Sequence, residues 1–428
     1  MNEKVKIVLL CLVTLLVSMH VVAEESNILS LNSAIGEALK SNPEISVAKR
    51  AYEAASARIW QAASLQDPMF EMEYDKMTAD RMLSGDPMKT YAISQEIPFP
   101  TKLYLRAKIA SKLAKMAYEN YKAKEREIIS QVKSTYAELS LVYKSIDVMR
   151  EQRGLLEQFS ASATTRYSVD EGTQADALRA QVELAKTDNG LIMLEQKRLT
   201  AQARLNILMN KDPAEEIGIP SAENPVLFDR SLEKFYSAAQ QYNPELKAYR
   251  YGIERGKVAY DLSLNEFMPD FVIKYRQMVQ GDKAVGNMWA GMLGVTVPLW
   301  FFEKQAFGVK EMKAELEMLK ADYRAKENKI LFDIRDSYAR VEANKKIVQL
   351  YETAFLPQAD ATVKASLKGY ASGKSDFVTL LDSQRTLEDF KIDHYKAILE
   401  LRTALADLEK AAGVTLDELE EAKANEKK

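Results

Sequence analysis

One cysteine, two histidines, 12 prolines and 16 glycines are spread over 428 residues. Each scarcity excludes something. The cysteine, Cys11, lies inside an N-terminal apolar run, and Leu10 precedes it where a lipidation signal needs a small residue. His20 lies in the same segment, so His394 stands alone and reads as a surface residue on a helical stretch. No Cys/His metal site and no Ser–His or Cys–His nucleophile can be assembled from that stock. No pair stands out among the 62 acidic residues. No catalytic, cofactor-binding or metal-binding residue is therefore assigned, and the chain is not read as an enzyme. The net charge of −3 carries no basic field for nucleic acid. Scarce proline and glycine leave room for long helices. Beyond the N-terminus no run reaches the ~18 apolar residues of a membrane helix.

What is present begins with a targeting signal. Lys4 and Lys6 precede an apolar run from Ile7 to Val17, and Val21-Val22-Ala23 supplies small residues before Glu24. Residues 1–23 are read as a signal peptide cut after Ala23. Its loss removes two lysines and one glutamate, taking the net charge from −3 to −4. A secreted chain without apolar helices is periplasmic, released, or inserted in an outer membrane as strands.

The remainder is one unit written twice. Asn42-Pro43-Glu44-Ile45 matches Asn243-Pro244-Glu245-Leu246, and Pro68, Phe70 and Tyr74 match Pro269, Phe271 and Tyr275. Ile97-Pro98-Phe99 matches Val297-Pro298-Leu299. Ile128, Val132, Tyr136, Leu139 and Ile146 match Ile330, Ile334, Tyr338, Val341 and Val348. Tyr167, Leu178, Gln181, Leu184 and Leu205 match Tyr370, Leu381, Gln384, Leu387 and Leu408. The offset drifts from 200–201 to 203 through prolines, strands and helices alike, which marks a duplication.

Both units follow one order. The first, 24–220, opens with a helix from about Leu31 to Leu65, followed by a β-hairpin over 68–97. A long helix over 101–167 and a return helix over 174–209 complete it. The second, 221–413, repeats this with a hairpin over 269–297, a long helix over 303–368 and a return helix over 375–412. A polar tail, 414–428, follows. Phe70, Met72 and Tyr74 alternate with Glu71, Glu73 and Asp75, the period of a strand. Tyr91, Ile93 and Ile97 share one parity, as do Phe271, Ile273, Tyr275 and Val279, and Trp289, Leu293, Val295 and Val297. Ser84-Gly85-Asp86-Pro87 and Gln280-Gly281-Asp282 supply the turns. Such strands, ~10 residues long, span a bilayer when tilted.

The first long helix, free of proline, covers roughly 98 Å at 1.5 Å per residue. Pro357 is expected to kink the second. Gly172 and Gly373 suit the left-handed residue that ends a helix, and Thr173 and Ser375 suit the cap of the next. Hairpin and tight turn then lie at opposite ends of a rod. Four strands cannot close a barrel, for which eight is about the minimum, and an open sheet in lipid leaves unsatisfied edges. Alternation alone does not separate membrane strands from a half-exposed hairpin of a soluble protein; if the strands are transmembrane, the chain must be a subunit of a shared barrel, twelve strands for three copies.

These residues resemble the TolC family of outer-membrane efflux proteins from about 30 to 413. The marks are Asn-Pro-Glu opening each half, Asp67-Pro68, and Ser94-Gln95-Glu96-Ile97-Pro98-Phe99-Pro100-Thr101-Lys102-Leu103. The last is similar to the segment of the heavy-metal, CusC/CzcC-like branch, with Thr101 in place of the usual glycine. Tyr370, Gly373, Leu381, Asp382 and Gln384 fit the family's helical turn; in the first copy Gly172 comes two residues late and Arg179 replaces the aspartate.

The resemblance implies a mainly α fold. Long coiled-coil-like helices form a periplasmic α-barrel, and four transmembrane strands per chain build a trimeric 12-stranded β-barrel. It implies a homotrimer in the outer membrane that docks a periplasmic adaptor and an inner-membrane pump of the RND type. The duct would passively conduct metal ions or small toxic compounds. The pore-gate candidates are Asp382, Thr379 and Asp176, three Asp382 side chains forming an anionic ring. The adaptor-docking tips are Tyr167, Gly172, Thr173, Tyr370, Gly373 and Ser375. Pro98, Pro100 and Pro298 mark the joints where barrel strands pass into helices, because proline cannot extend a sheet and is tolerated at a helix start. Methionines at 69, 72, 77, 82 and 88 are read as plain hydrophobic residues of a lipid-facing strand or loop. Competing readings are an outlet for type I protein secretion and a soluble periplasmic coiled-coil scaffold.

Overall fold

A computed structural model describes residues 28–75, 88–170, 172–221, 230–279, 288–416 and 418–419. The expected signal peptide, both hairpin turns, Met77, Met82 and most of the tail lie outside them.

The first half runs β1 (Ile28–Leu29), α1 (Leu31–Ser41), α2 (Pro43–Ala63), β2 (Met69–Asp75), β3 (Met88–Ile97), α3 (Pro100–Ser168) and α4 (Gln174–Leu208). The second half runs β4 (Ile219–Pro220), α5 (Leu232–Tyr242), α6 (Pro244–Asn265), β5 (Asp270–Val279), β6 (Met288–Thr296) and α7 (Lys304–Leu350). A π turn (Tyr351–Phe355), α8 (Leu356–Ala371) and α9 (Phe377–Ala412) complete it. At 69 residues α3 is roughly 100 Å long.

The opening helix of each half is not continuous. Asn42 ends α1 and starts α2, in an extended conformation (φ −63°, ψ 126°) that the following Pro43 favours. Its Oδ1 accepts hydrogen bonds from the Glu44 and Ile45 backbone N–H groups. Its Nδ2 donates to the Leu208 carbonyl at the end of α4, 2.9 Å away. One side chain thus satisfies orphan donors of one helix and an orphan acceptor of another. Asn243 does the same, accepting from Leu246 N–H and donating to the Ala411 carbonyl at 2.8 Å. So α4 is spliced end to end onto α2, and α9 onto α6, negative helix ends against positive ones.

Helix α3 packs on α2 and α6 near the sheet and on α4 and α9 towards the far end, while α7 packs on α6 and α9. The result is a wall of four helical strips. Two cores lie beside the splices. Ile128, Val132, Tyr136 and Leu139 of α3 meet Ala34, Ala38, Ile45, Ala201 and Leu205. Ile330, Ile334 and Val341 of α7 meet Phe235, Ala239, Leu246, Leu405 and Leu408. Burial of each large aliphatic side chain contributes about 1.5–3 kcal/mol. Tyr136 is buried in the first core and Tyr338 packs against the second, and both anchor backbone: Tyr136 Oη donates to the Leu29 carbonyl (2.7 Å) and Tyr338 Oη to that of Arg230 (2.9 Å). The parallel β1–β4 pair, unforeseen from sequence, ties the second half's entry to the first.

Pro357 acts through the turn before it. The Leu356 N–H donates to the Tyr351 carbonyl, a π turn that widens the helix where the proline ring would crowd an α-helical carbonyl. His394 is half-buried beside this turn rather than on the surface. Its Nε2 lies 3.3 Å from the Glu352 carboxylate and its ring beside Tyr351.

Candidate channel wall, joints and tips

The four long strands form one antiparallel sheet in the order β2-β3-β5-β6. Its register sorts the side chains onto two faces. Phe70, Ile93 and Tyr275 lie in one cross-strand row, and Ile97, Phe271 and Val295 in another. Met72, Tyr91, Ile273, Trp289 and Leu293 share that apolar face. The opposite face carries Glu71, Glu73, Glu96, Lys274, Arg276 and Asp270, with small residues Thr90, Ala92 and Ser94 at its centre. Those three are buried while Phe70, Leu293 and Trp289 are exposed, so the sheet curls with its polar face concave. Lys274 Nζ bonds the Glu71 carboxylate at 2.5 Å across that face. Met69 and Met88 stand on this polar face, against the expectation that they serve as lipid-facing hydrophobes; only Met72 among the described residues of that group does so. The outer edges of β2 and β6 have no partner strand among the described residues.

The two joints differ. At the first, Pro98 is buried and Pro100 is the first residue of α3. The Phe99 N–H donates to Asp270 Oδ1 (2.8 Å), and Thr101 Oγ1 donates to Asn265 Oδ1 (2.6 Å). Lys102 is 2% exposed; its Nζ donates to Asp270 Oδ2 (2.9 Å) and to the Met268 carbonyl (3.0 Å), with Glu266 3.4 Å away. The first joint is therefore fastened to the α6–β5 passage of the second half. Sequence reasoning passed over Lys102, although a signal existed: a lysine in the first turn opposes the helix dipole unless something specific holds it. At the second joint Pro298 does not start a helix. A turn intervenes, closed by Glu303 and Lys304 N–H bonds to the Trp300 carbonyl, and α7 begins at Lys304. Leu299, Trp300, Phe301 and Phe302 project from this turn, Trp300 being 69% exposed.

At the far end, the α3–α4 turn places Asp170, not Gly172, in the left-handed region (φ 58°). Asp tolerates that conformation, so the late glycine is not needed for it. Gly373 does take it in the second turn (φ 71°). Thr173 caps α4, its Oγ1 accepting from Asp176 N–H. Ser375 does not cap α9: Asp376 does, accepting from Thr379 N–H at 2.8 Å, while Ser375 Oγ donates to the Ser366 carbonyl. Tyr370 is held between the Arg166 guanidinium, 4.9 Å from its ring, and Phe377, whereas Tyr167 is exposed.

Of the gate candidates, Asp382 and Thr379 share an exposed face of α9. Asp176 sits instead in the first turn of α4, where its charge reaches Tyr370. Asp382 is not a lone carboxylate: Arg385 Nη1 lies 3.5 Å from it. Arg385 also reaches across to α4, its Nε donating to Glu183 Oε2 at 3.0 Å. Burial works to raise the Glu183 carboxyl, but hydrogen bonds from Arg385 and Lys186 outweigh it and hold the group below its ordinary value. One turn further, burial pushes Glu388 up to about 7, reinforced by Asp389 and Glu183. Glu183, Arg385 and Glu388 were not singled out from sequence; an Arg three residues after Asp382 was the visible signal.

No group of three or more His, Cys, Asp or Glu among the described residues is placed to hold a metal, and none of their helices is long and apolar enough to cross a membrane.

A family model described as "Outer membrane efflux protein" matches residues 34–211 and 235–414. The chain is similar to the cobalt-zinc-cadmium resistance protein CzcC of Cupriavidus metallidurans, 20% identical over 399 residues and covering 91% of each chain. Among solved structures it is similar to CusC, with a TM-score of 0.78 at 13% identity, covering 90% of this chain and 92% of that one. It is equally similar to the Campylobacter jejuni CmeC outer membrane channel, with a TM-score of 0.78 at 15% identity and coverage of 93% and 89%.

Proposed function

Because the chain belongs to the outer membrane efflux protein family, we propose that three copies close a twelve-stranded barrel, continued by a helical tunnel, as the exit duct of a tripartite pump. It is an outer-membrane efflux channel, and members of this family are channels rather than enzymes. The observation that carries the trimer is the sheet. Its convex face is apolar, its concave face is charged, and its two outer edges have no partner strand among the described residues, an arrangement lipid does not tolerate. The apolar face meets lipid, the polar face lines the lumen, and Leu299 to Phe302 sit at the membrane–water boundary.

Pro98, Pro100 and Pro298 act as the barrel-to-helix joints. Tyr167, Gly172, Thr173, Tyr370, Gly373 and Ser375 form the tips that contact the adaptor, which leads to an RND-type inner-membrane pump. The name of the CzcC relative supports metal ions as cargo, with small toxic compounds as the wider class. The signal peptide and the two repeat units are proposed as read from the sequence, whereas Val414, Leu416 and Leu419, at the head of the expected polar tail, pack on the core of the second half.

The gate combines Asp382 and Thr379 with the Arg385–Glu183 bridge, and Asp176 adds charge at the turn. Asp382 attracts cations, and Arg385 ties the two return helices together in the narrowed state. Extraction of outer membranes with detergent should yield a trimer by mass; a soluble monomer in the periplasmic extract would overturn the duct. In planar bilayers Asp382→Ala should raise conductance or lose cation preference and Arg385→Ala should open the pore more often. Unchanged currents in both would remove this cluster from the gate.

A further inference from the structure

The helices of the far end stand in the order α4, α3, α9, α7. Long and return helices therefore alternate. Helix α3 has a return helix on each side; among the described residues α7 has one on its inner side only, and α4 has a long helix on one side only. The duplication allows equivalent positions to be compared. Ser130, Ser145 and Val148 of α3 are buried. They share a face with Arg126, Lys133 and Gln152, which bond Glu418, Glu409 and Gln384 of the second half. At the offset of 202 their counterparts on α7 are Phe332, Ile347 and Leu350. Those are 67%, 40% and 47% exposed.

The return helices show the same contrast. Tyr395, Leu399 and Arg402 of α9 line a cavity with Leu141 and Lys144 of α3. At the offset of 203 their counterparts on α4 are Ile192, Gln196 and Leu199, which with Ala203 line an open groove. The sheet agrees with the helices. Strand β2 follows α2, which the Asn42 splice joins to α4, and β6 leads into α7; these are the two outer strands. The two seams also differ in chemistry. Inside the chain, Lys391 donates to Glu151 (2.8 Å) and Gln384 to Gln152 (2.5 Å) across α3 and α9. On the open sides Phe332 replaces Ser130, Ile347 replaces Ser145 and Leu199 replaces Arg402. Halves of one chain are tethered and meet at high effective concentration, so polar bonds suffice. Separate copies must offset lost translational freedom, for which buried apolar side chains are suited.

We propose that an apolar seam in the helical wall joins one copy of this chain to the next. Phe332, Ile347 and Leu350 of α7 cover Ile192, Leu199 and Ala203 of α4 in the neighbouring copy, in place of the polar seam that joins the halves of one chain. Two different patches meet, so the contact runs head to tail and closes as a ring. The helical wall then holds the copies together outside lipid, and the strand edges are not the only attachment. The proposal deepens the duct reading, rests on its several copies, and adds the surface that binds them and the chemistry of that surface.

The test uses the full-length protein, whose one cysteine, Cys11, lies in the proposed signal peptide. Leu141 and Leu399 face each other across the α3–α9 cavity, and Ala343 and Gln196 are their counterparts on the open sides. On oxidation A343C/Q196C should give covalent dimers and trimers on a denaturing gel, whereas L141C/L399C should give monomers alone. Both new positions are exposed, so folding is spared. F332S/I347S gives α7 the residues that α3 carries and should make the trimer dissociate at least about tenfold faster in denaturing detergent. A wild type that is trimeric by mass while A343C/Q196C stays monomeric on the gel, or an F332S/I347S trimer as lasting as the wild type, overturns the seam and leaves the duct standing. A wild type that is a soluble monomer overturns the duct and the seam with it.

Discussion

The two halves of the chain agree at their splices and differ at their joints. Asn42 and Asn243 make the same paired bonds, to the Leu208 and Ala411 carbonyls, and Tyr136 and Tyr338 anchor backbone at equivalent positions. These contacts hold the helical wall together. By contrast the first joint is fastened by buried Lys102 and its helix runs 69 residues without interruption. The second joint ends in an exposed aromatic turn, and its helix is broken by a π turn before Pro357. A duplicated unit can thus supply one stiff rail and one adjustable rail from a single plan.

Four experiments press on that difference. The largest effect is expected where the halves close their return helices. Gly413 is left-handed (φ 74°), and an added Cβ would lie 2.5 Å from the Asn243 Cα. Gly413→Ala should therefore cost roughly 3 kcal/mol, from backbone strain and overpacking together. Its counterpart Asn210, already left-handed at φ 57°, should accept glycine within a few tenths of a kcal/mol. Denaturant midpoints of both variants measure the contrast.

Next comes the buried cation. Lys102→Ala leaves Asp270 Oδ2 and the Met268 carbonyl without the Lys102 ammonium, while Asp270 Oδ1 keeps the Phe99 N–H, and should cost about 2 kcal/mol, moderated because Asp270 is partly exposed. Exposed Lys304, at the head of α7, should tolerate alanine within about 0.5 kcal/mol. Equal effects would mean that the joints are equally fastened. A smaller loss, about 1–2 kcal/mol, is expected for Asn42→Ala and again for Asn243→Ala. A clear inequality between those two would show that the splices are not equivalent.

The smallest effect concerns pH. Glu388, raised to about 7 by burial and by Asp389 and Glu183, holds a proton that the unfolded chain releases near 4.5. Between those values the native state binds more protons, so this group's contribution to stability falls as pH rises from about 4.5 to 7. Glu388→Gln should flatten that slope. The first half carries Ala185 at the matching position. Melting scans across pH 4–8 that keep their slope in the glutamine variant would assign the dependence to another group.

Element types, lengths and the duplication were legible because periodicity and proline placement are local properties. The period of two over 70–75 and the 4, 4, 3 spacing over Ile128 to Leu139 needed no partner to be read. Even the methionine faces were within reach, since Met69 shares parity with Glu71. What escaped was pairing at long range. Asn42 looked like a residue inside a helix because its acceptor, Leu208, is 166 positions away. Gly172 looked like the left-handed residue because glycine costs least there, while Asp170 occupies that conformation instead. Arg385 drew no attention beside Asp382 because its Glu183 partner lies on another helix.

By itself the sequence determined two matched units of long helix and short strand pair, secreted, with no cysteine or histidine cluster for chemistry. Hydrophobic period, chain stiffness and composition are enough for that. Tertiary structure decided which face of the sheet is concave and polar, that Lys102 fastens the first joint while the second is left exposed, and that the arginine beside Asp382 reaches Glu183 on the other return helix. Those outcomes depend on which distant groups meet, and contacts across 150 residues or more leave no periodic trace along the chain.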